Sequence, residues 1–565
     1  MTTAENYLAV KSGHSALQRY EGLWSLPEPF CASLFTDSQR QALAIRGLTR
    51  FESLVVHSVR EALSQCPELD IAANNVVFIL STTKANIEQP LPPPTSPLRG
   101  RLVGATAQRI ARELGFTTTP IVVCNACISG VAAVILAKRL LESGNYDYAV
   151  VCGADVQNRF TVSGFQSLKA VAAEVCRPFD MERTGLNLGE AAATMVMSSG
   201  SGLTERGCHE IVEAGAIRND AYHISSPSKN AEGACLALAS ILHPPSSIAF
   251  INAHGTATMF NDQMESVAIE RAGLSDIPVN GLKGYYGHTL GAAGVLETII
   301  SIAALRDHTV LATHGFAERG VSGKIKVTAE NAAAADGTTS FVKMISGFGG
   351  GNAAIMVTNA ADGRQIPVAA PTAVSVSHHV VITPATASVD GQMLPTPPHL
   401  TDLYKHYVGD YPKFYKMDGL SRLGFLASEL LLQAERKERG TDVECSTANG
   451  LCSMSNDSRA VVLFNSSSST AADRKYLETI APDNFFPSPS LFVYTLPNIV
   501  TGEIAIRNGY HGETSFFILP WRDESLMNKI VLSTFQDRQV KSIITGWLDY
   551  YDETRYEADL ILLTA

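Results

Sequence analysis

Three aliphatic residues and a cysteine, Ile121, Val122, Val123 and Cys124, stand together in a chain where apolar and polar positions otherwise alternate. A short unbroken apolar run predicts a fully buried strand. From Ser129 the period changes. Val131, Val134, Ile135 and Leu141 fall on one side of a helix that Gly144 ends. Between the two patterns lies Asn-Ala-Cys-Ile, so Cys127 is expected in a sharp strand-to-helix turn. A thiol there meets the positive end of the helix dipole and unpaired backbone N–H groups, which favour the thiolate. The competing reading is a buried structural cysteine, the commoner fate of that residue.

Strand and helix patterns keep alternating to about residue 359, which predicts an α/β protein. Residues 360–377 are small, Pro/Ala-rich and weakly patterned and read as a linker, followed by a second α/β segment at 378–565. That gives a unit at 1–359, a linker and a unit at 378–565. The second segment repeats the first in order. GLTRFESLVVHSVREAL (47–63) resembles GLSRLGFLASELLLQ (419–433), both amphipathic helices. The strand and polar loop at 74–88 matches 458–476, the helix at 105–116 matches 498–510, and 146–155 matches 540–552. Each match is weak, but four in one order define an internal repeat. Where the first copy has Cys127, the second has ILPWRD (518–523), with no thiol or hydroxyl, so its reactive position is lost.

Bulk properties narrow the function classes. With 565 residues, 18% charged and 45% hydrophobic, the chain suits several cores. A net charge of −11 without a long basic run argues against nucleic acid as the main partner. The first residues lack the apolar core of a secretory leader, and no apolar run is long enough to span a bilayer. Ten cysteines have neither a disulfide framework nor zinc spacing, so a reducing cytosol is expected. The C-x-x-C of Cys124 and Cys127 raises redox chemistry, but Cys124 ends an apolar strand and is expected to point into the core.

Further along, Ile248, Ala249, Phe250 and Ile251 read as a strand ending at His254 in NAHGTATMFNDQME (252–265). A second histidine, His288, follows in KGYYGHTLGAAG (283–294), five residues after Lys283. A glycine-rich turn, ISGFGGGNAA (345–354), precedes another strand and matches no phosphate-loop spacing. Each of these features alone reads as structural. Their order, ACxSG, RPFD (Arg177 to Asp180), HGTxT, KxxxGH and GFGG, resembles the β-ketoacyl synthase family, condensing enzymes of the thiolase superfamily.

This resemblance spans about residues 8–359. It implies a thiolase-like layered α/β/α/β/α fold, followed here by a degenerate half-thiolase-like α/β domain. It further implies decarboxylative Claisen condensation of a malonyl-carrier protein with an acyl group held on Cys127. In that scheme His254 and His288 donate to an enolate oxygen, and the N–H groups of Cys127 and Phe348 form an oxyanion site. Lys283 holds His288. Glu265 holds Lys283 or a structural ion. Thr256 and Thr258 meet a phosphopantetheine arm, Phe348 gates the passage between the nucleophile and the malonyl chamber, and Ile128 shapes the acyl tunnel. The implied partners are an acyl carrier protein, acyl and malonyl thioesters, and a second subunit in a homodimer or ketosynthase-like heterodimer. No metal or organic cofactor is implied; phosphopantetheine arrives on the carrier.

Some positions depart from the family pattern. Ala191 replaces a glycine and Gly351 a threonine, and the usual opening strand is missing before Tyr7. A strand-like His379 to Pro384 resembles that opening and is expected to begin the second copy, the alternative being that it completes the first domain's sheet. The half-synthase at 378–565 cannot condense anything alone, so a packing role over a dimer-like face is expected. The pathway expectation is fatty-acid-like or polyketide synthesis, narrowed to an aryl-polyene or flexirubin type. A chain-length factor or scaffold is the non-enzymatic alternative. A thiolase acting on acyl-CoA is the enzymatic one, disfavoured because one cysteine is paired with two histidines.

Overall fold

The computed structural model describes residues 2–89, 102–200, 209–242, 247–360, 373–395, 399–438, 440, 456–481 and 484–565. Its core is layered as α/β/α/β/α around two sheets, one of eleven strands and one of six. In the strand Val76–Ser81 the side chains alternate, as the pleat requires. Val76, Phe78 and Leu80 pack outward against helices Arg50–Ser64 and Val103–Leu114. Val77 and Ile79 face inward onto helices Ser129–Glu142 and Ala293–Arg306. These two central helices are buried against Phe250, Phe341 and Ile355 of the six-stranded sheet. The far face of that sheet, with Ile251, Val342 and Met356, is covered by helices Glu232–Ile241 and Met259–Arg271.

The eleven-stranded sheet is shared by the two sequence repeats. From the first come Ala191–Ser198, Tyr148–Asp155, Val76–Ser81 and Ile121–Val123, in that spatial order. The second continues with Thr514–Ile518, Arg459–Asn465, Ser542–Asp552 and Arg555–Thr564, so the two halves mirror one another. They join antiparallel at Val123 opposite Phe517 and Val122 opposite Ile518. The junction continues beyond the strand, where the Cys124 N–H donates to the Phe516 carbonyl at 3.1 Å. The Phe516 N–H in turn donates to the Asn125 side-chain oxygen at 2.6 Å. One apolar core runs through both repeats, from Phe51 and Val122 to Leu426, Phe516 and Leu562.

The strand Ser375–Ile382 pairs with Arg555–Thr564, so it opens the second copy. Of the expected linker at 360–377, residues 361–372 lie outside the described residues, and 375–377 already belong to this strand. The strand before the Cys127 turn ends at Val123, one residue before the sequence pattern suggests. Among the described residues no helix is long and apolar enough to cross a membrane.

Buried ion pairs cross between the halves. Arg139 donates to Glu513 at 2.8 Å, and Lys84 to Asp473 at 2.5 Å. Arg218, fully buried, donates to Asp537 at 2.6 Å and to Gln539 at 2.8 Å. Removing one partner of such a pair leaves an uncompensated buried charge. Arg218→Met is therefore expected to destabilise the protein by about 3–5 kcal/mol, read as a lowered denaturant midpoint. An unchanged midpoint would mean that this pair does not hold the second repeat in place.

Candidate active site

Cys127 sits in a single 3₁₀ turn, Ala126–Ile128, between the strand Ile121–Val123 and the helix Ser129–Glu142. The turn is forced. Ala126 has φ of 50°, a left-handed conformation that strains a residue with a side chain. Ser129 braces it, donating to the Ala126 carbonyl at 2.6 Å while accepting the Asn125 N–H at 2.8 Å. Phe179, Ala257 and Leu290 also have positive φ, in the segments that carry RPFD, the threonines and His288. Ala126, Ala257 and Leu290 each lie within two residues of a side chain that lines one cavity, and strained backbone of this kind holds a site in a fixed geometry.

The fold brings Cys127, His254 and His288 together. One donor atom from each lies within 4.8 Å of the others, and all three residues are buried. The two imidazoles meet edge to face, their centroids 5.0 Å apart. At His288, Nδ1 accepts the Leu290 N–H at 3.3 Å, which leaves the proton on Nε2. Among the described residues, that Nε2 and the Nδ1 of His254 have no hydrogen-bond partner. Burial, reinforced by the charge of Lys283, holds both imidazoles well below the usual 6.5, so both are neutral near pH 7. A thiol with two imidazoles also forms a donor set that suits a soft metal such as zinc; an ion there would occupy the nucleophile.

The sulfur does not rest as a thiolate. Burial pushes the Cys127 thiol up to about 12, against the pull of Lys283 and of the N–H groups of Cys127 and Phe348. The helix terminus is where the sequence places it, but desolvation in the closed site outweighs it. Those same two N–H groups point at the sulfur, where an oxyanion formed on a Cys127-bound acyl group would need donors.

The polar support differs from the sequence expectation. Lys283 makes no hydrogen bond to His288. Its ammonium donates to the His254 carbonyl at 2.6 Å and to Glu297 at 2.8 Å. Glu265 does not hold Lys283 either. Its carboxylate accepts the N–H groups of His254 at 2.7 Å and Gly255 at 2.8 Å, and the Asn261 amide at 2.9 Å. Burial, then the neighbouring Asp262, raises the Glu265 carboxyl. Asp262 in turn accepts the N–H groups of Phe179, Thr256 and Ala257. Glu297 and Lys343, both fully buried, are the residues that sequence reading missed. Their signal was a charged residue set among apolar neighbours, Val295, Leu296, Ile299 and Ile300 in the helix and Val342, Met344 and Ile345 in the strand.

A cavity of about 350 Å³ opens from Cys127, His254 and His288 to the surface, passing Thr256, Thr258 and Phe348. The hydroxyls of Thr256 and Thr258 meet each other at 2.9 Å. The Phe348 ring stacks on Phe165 at 6.0 Å, and Phe165 meets Phe492 of the second repeat at 5.3 Å. The Phe348 carbonyl accepts the Asn498 amide at 2.8 Å, so the second repeat holds the Phe348 loop from behind. Ile128, fully buried, packs beneath the same loop, its side chain 3.0 Å from the position a Gly351 Cβ would take.

Two family descriptions match the chain: "Beta-ketoacyl synthase, N-terminal domain" at residues 6–201 and "Beta-ketoacyl synthase, C-terminal domain" at 209–317. Nodulation protein E of Rhizobium sp. (strain N33) is 32% identical over 234 residues, 40% of this chain and 58% of that protein. A putative mitochondrial 3-oxoacyl-[acyl-carrier-protein] synthase of Schizosaccharomyces pombe is 29% identical over 312 residues, 48% of this chain and 72% of that protein. The chain thus spans little more than half the length of the first of these relatives. Among solved structures, one titled "PfaC Keto synthase-Chain length factor" aligns over 100% of this chain and 77% of its own, with TM-score 0.74 and 14% identity, a likeness of fold.

If desolvation controls the thiol, alkylation of Cys127 by iodoacetamide should accelerate about tenfold per pH unit between pH 7 and 10, followed by peptide mass spectrometry. A plateau near pH 7 would instead reveal a standing thiolate.

Proposed function

This chain belongs to the β-ketoacyl synthase family, and from that premise we propose that it condenses an acyl thioester with a malonyl thioester, both delivered on an acyl carrier protein. The observation that carries the proposal is the convergence of a thiol and two neutral imidazoles beside a pair of inward N–H groups.

The geometry supports the following steps. The Cys127 sulfur attacks the acyl carbonyl as its proton departs to the leaving carrier thiol, and the carbonyl oxygen develops charge between the Cys127 and Phe348 N–H groups. The acyl–sulfur bond to Cys127 forms as the carrier–acyl bond breaks. Malonyl thioester then loses CO₂, and its thioester oxygen takes up enolate charge between His254 and His288. Neutral imidazoles suit this, because an N–H donor stabilises the enolate without surrendering a proton to the carbanion. The enolate carbon attacks the Cys127-bound acyl group and the thiolate leaves. Thr256 and Thr258 line the cavity that runs from Cys127 to the surface, which supports their contact with a phosphopantetheine arm. The chemistry requires no metal. Fatty-acid-like or polyketide synthesis in the cytosol is the fitting context, with an aryl-polyene or flexirubin-type product as the narrower reading. The wild-type protein is expected to gain an acyl group on incubation with acyl carriers, seen by intact mass, and Cys127→Ala to gain none. His254→Ala and His288→Ala should still be acylated but lose malonyl decarboxylation by about 10²–10³-fold. Decarboxylation at the wild-type rate in both would remove the enolate role.

Residues 378–565 are the chain's own substitute for a partner half. They extend the sheet at the edge strand Ile121–Val123 and hold the gate loop through Asn498. Asn498→Ala is expected to reduce acyl transfer by about tenfold with the fold intact, whereas deletion of 378–565 should leave the remainder insoluble. A soluble, fully active remainder would refute this role.

A further inference from the structure

Lys343 is a charged residue with no evident reason to be where it is. It lies in the strand Ser340–Gly347, among Val342, Met344 and Ile345, with no exposed surface. Its ammonium pairs with Glu297 and donates to the Ala253 carbonyl at 3.2 Å. Across the sheet it stands opposite Asn252, whose side-chain oxygen has no hydrogen-bond partner. Other charged or titratable groups reach it from every side: Glu265 from the helix Met259–Arg271, Lys283, and the imidazoles of His254 and His288.

The arrangement brackets one peptide segment. Lys343 holds the carbonyl of Ala253, and Lys283 holds the carbonyl of His254. Glu297 ties both ammonium groups together, while Glu265 takes the N–H groups of His254 and Gly255. Burial alone pushes Glu297 up, but the two lysines pull it below the usual carboxylate range. Burial lowers Lys343 itself despite Glu297. Carboxylate and carbonyl oxygens converging on one compact positive charge are the surroundings of a bound hard cation. Here the charge is carried on a side chain.

We propose that Lys343 is a positioning residue that acts as a tethered cation, fixing His254 through Ala253 and Glu297, and that the oxygen cage it fills will take a free monovalent cation when the ammonium is removed. This rests on the reading of His254 as an enolate donor, and on nothing else in the proposed reaction.

The test compares Lys343→Ala and Lys343→Met with wild type in choline, potassium and ammonium buffers, reading the thermal unfolding midpoint and the condensation rate separately. In choline, Lys343→Ala should condense about 10–100-fold more slowly, with Cys127 acylation affected less. Potassium or ammonium should restore it saturably and raise its midpoint, because a ligand bound only to the folded state stabilises it. Wild type should respond to neither. Lys343→Met fills the space without charge and should stay slow in all three buffers. Since potassium carries no proton, the rescued variant should hold its activity to higher pH than wild type, whose Lys343 discharges as pH rises. Wild-type activity in Lys343→Met, or a folded Lys343→Ala indifferent to cations in both readouts, would overturn the proposal. Should Lys343→Ala fail to fold in choline, folding restored by potassium or ammonium supports it, and a fully active Lys343→Met refutes it. Absence of any condensation in wild type would defeat the proposed function instead, while the midpoint series still decides whether the cage takes a cation.

Discussion

The close crossing of the two central helices is the constraint from which the rest of the site follows. A Cβ added to Gly130 would lie 2.7 Å from the Gly294 backbone, and one added to Gly294 would lie 2.3 Å from the Val131 nitrogen. No side chain fits there, so backbone touches backbone. Gly130 opens the helix that follows Cys127, and Gly294 opens the helix that follows His288. Both reactive turns are therefore set at the N-terminal ends of helices that cross where they begin. His254 joins them from the strand Ile248–Asn252, beneath the same helices.

Given that frame, desolvation does most of the electrostatic work. It keeps both imidazoles neutral and the Cys127 thiol protonated. It also makes buried charge expensive, which is why the lysines and acids behind His254 occur as a bonded group rather than singly. A site built this way has donors fixed before substrate arrives, and fixed donors stabilise developing charge without reorganising.

The second repeat has lost its reactive turn but kept the part of the fold that meets its twin. Its strand Thr514–Ile518 covers the edge of Ile121–Val123, an exposed pairing edge that would otherwise recruit another chain. Its helix Ile499–Asn508 and Asn498 close behind the Phe348 loop, with Gly502 allowing backbone approach to Gly349. A second repeat on the same chain is present at fixed stoichiometry and high effective concentration.

Much was legible in the sequence. The buried strand, the turn at Cys127, the helix after it, and the repeat are encoded in periods and turn residues within short windows, where backbone sterics and side-chain patterning act. The order of Cys127, His254 and His288 was likewise legible, and the fold brings those three together. What only the tertiary structure decided were matters of non-local proximity. These are the partner of Lys283, which proved to be Glu297 and the His254 carbonyl; the hold of Glu265 on backbone N–H groups; the presence of Lys343 among them; and the fusion of two repeats into one sheet. The state of the Cys127 thiol belongs with them. A helix terminus can be read from adjacent residues, but the water excluded from a sulfur depends on every element packed around it.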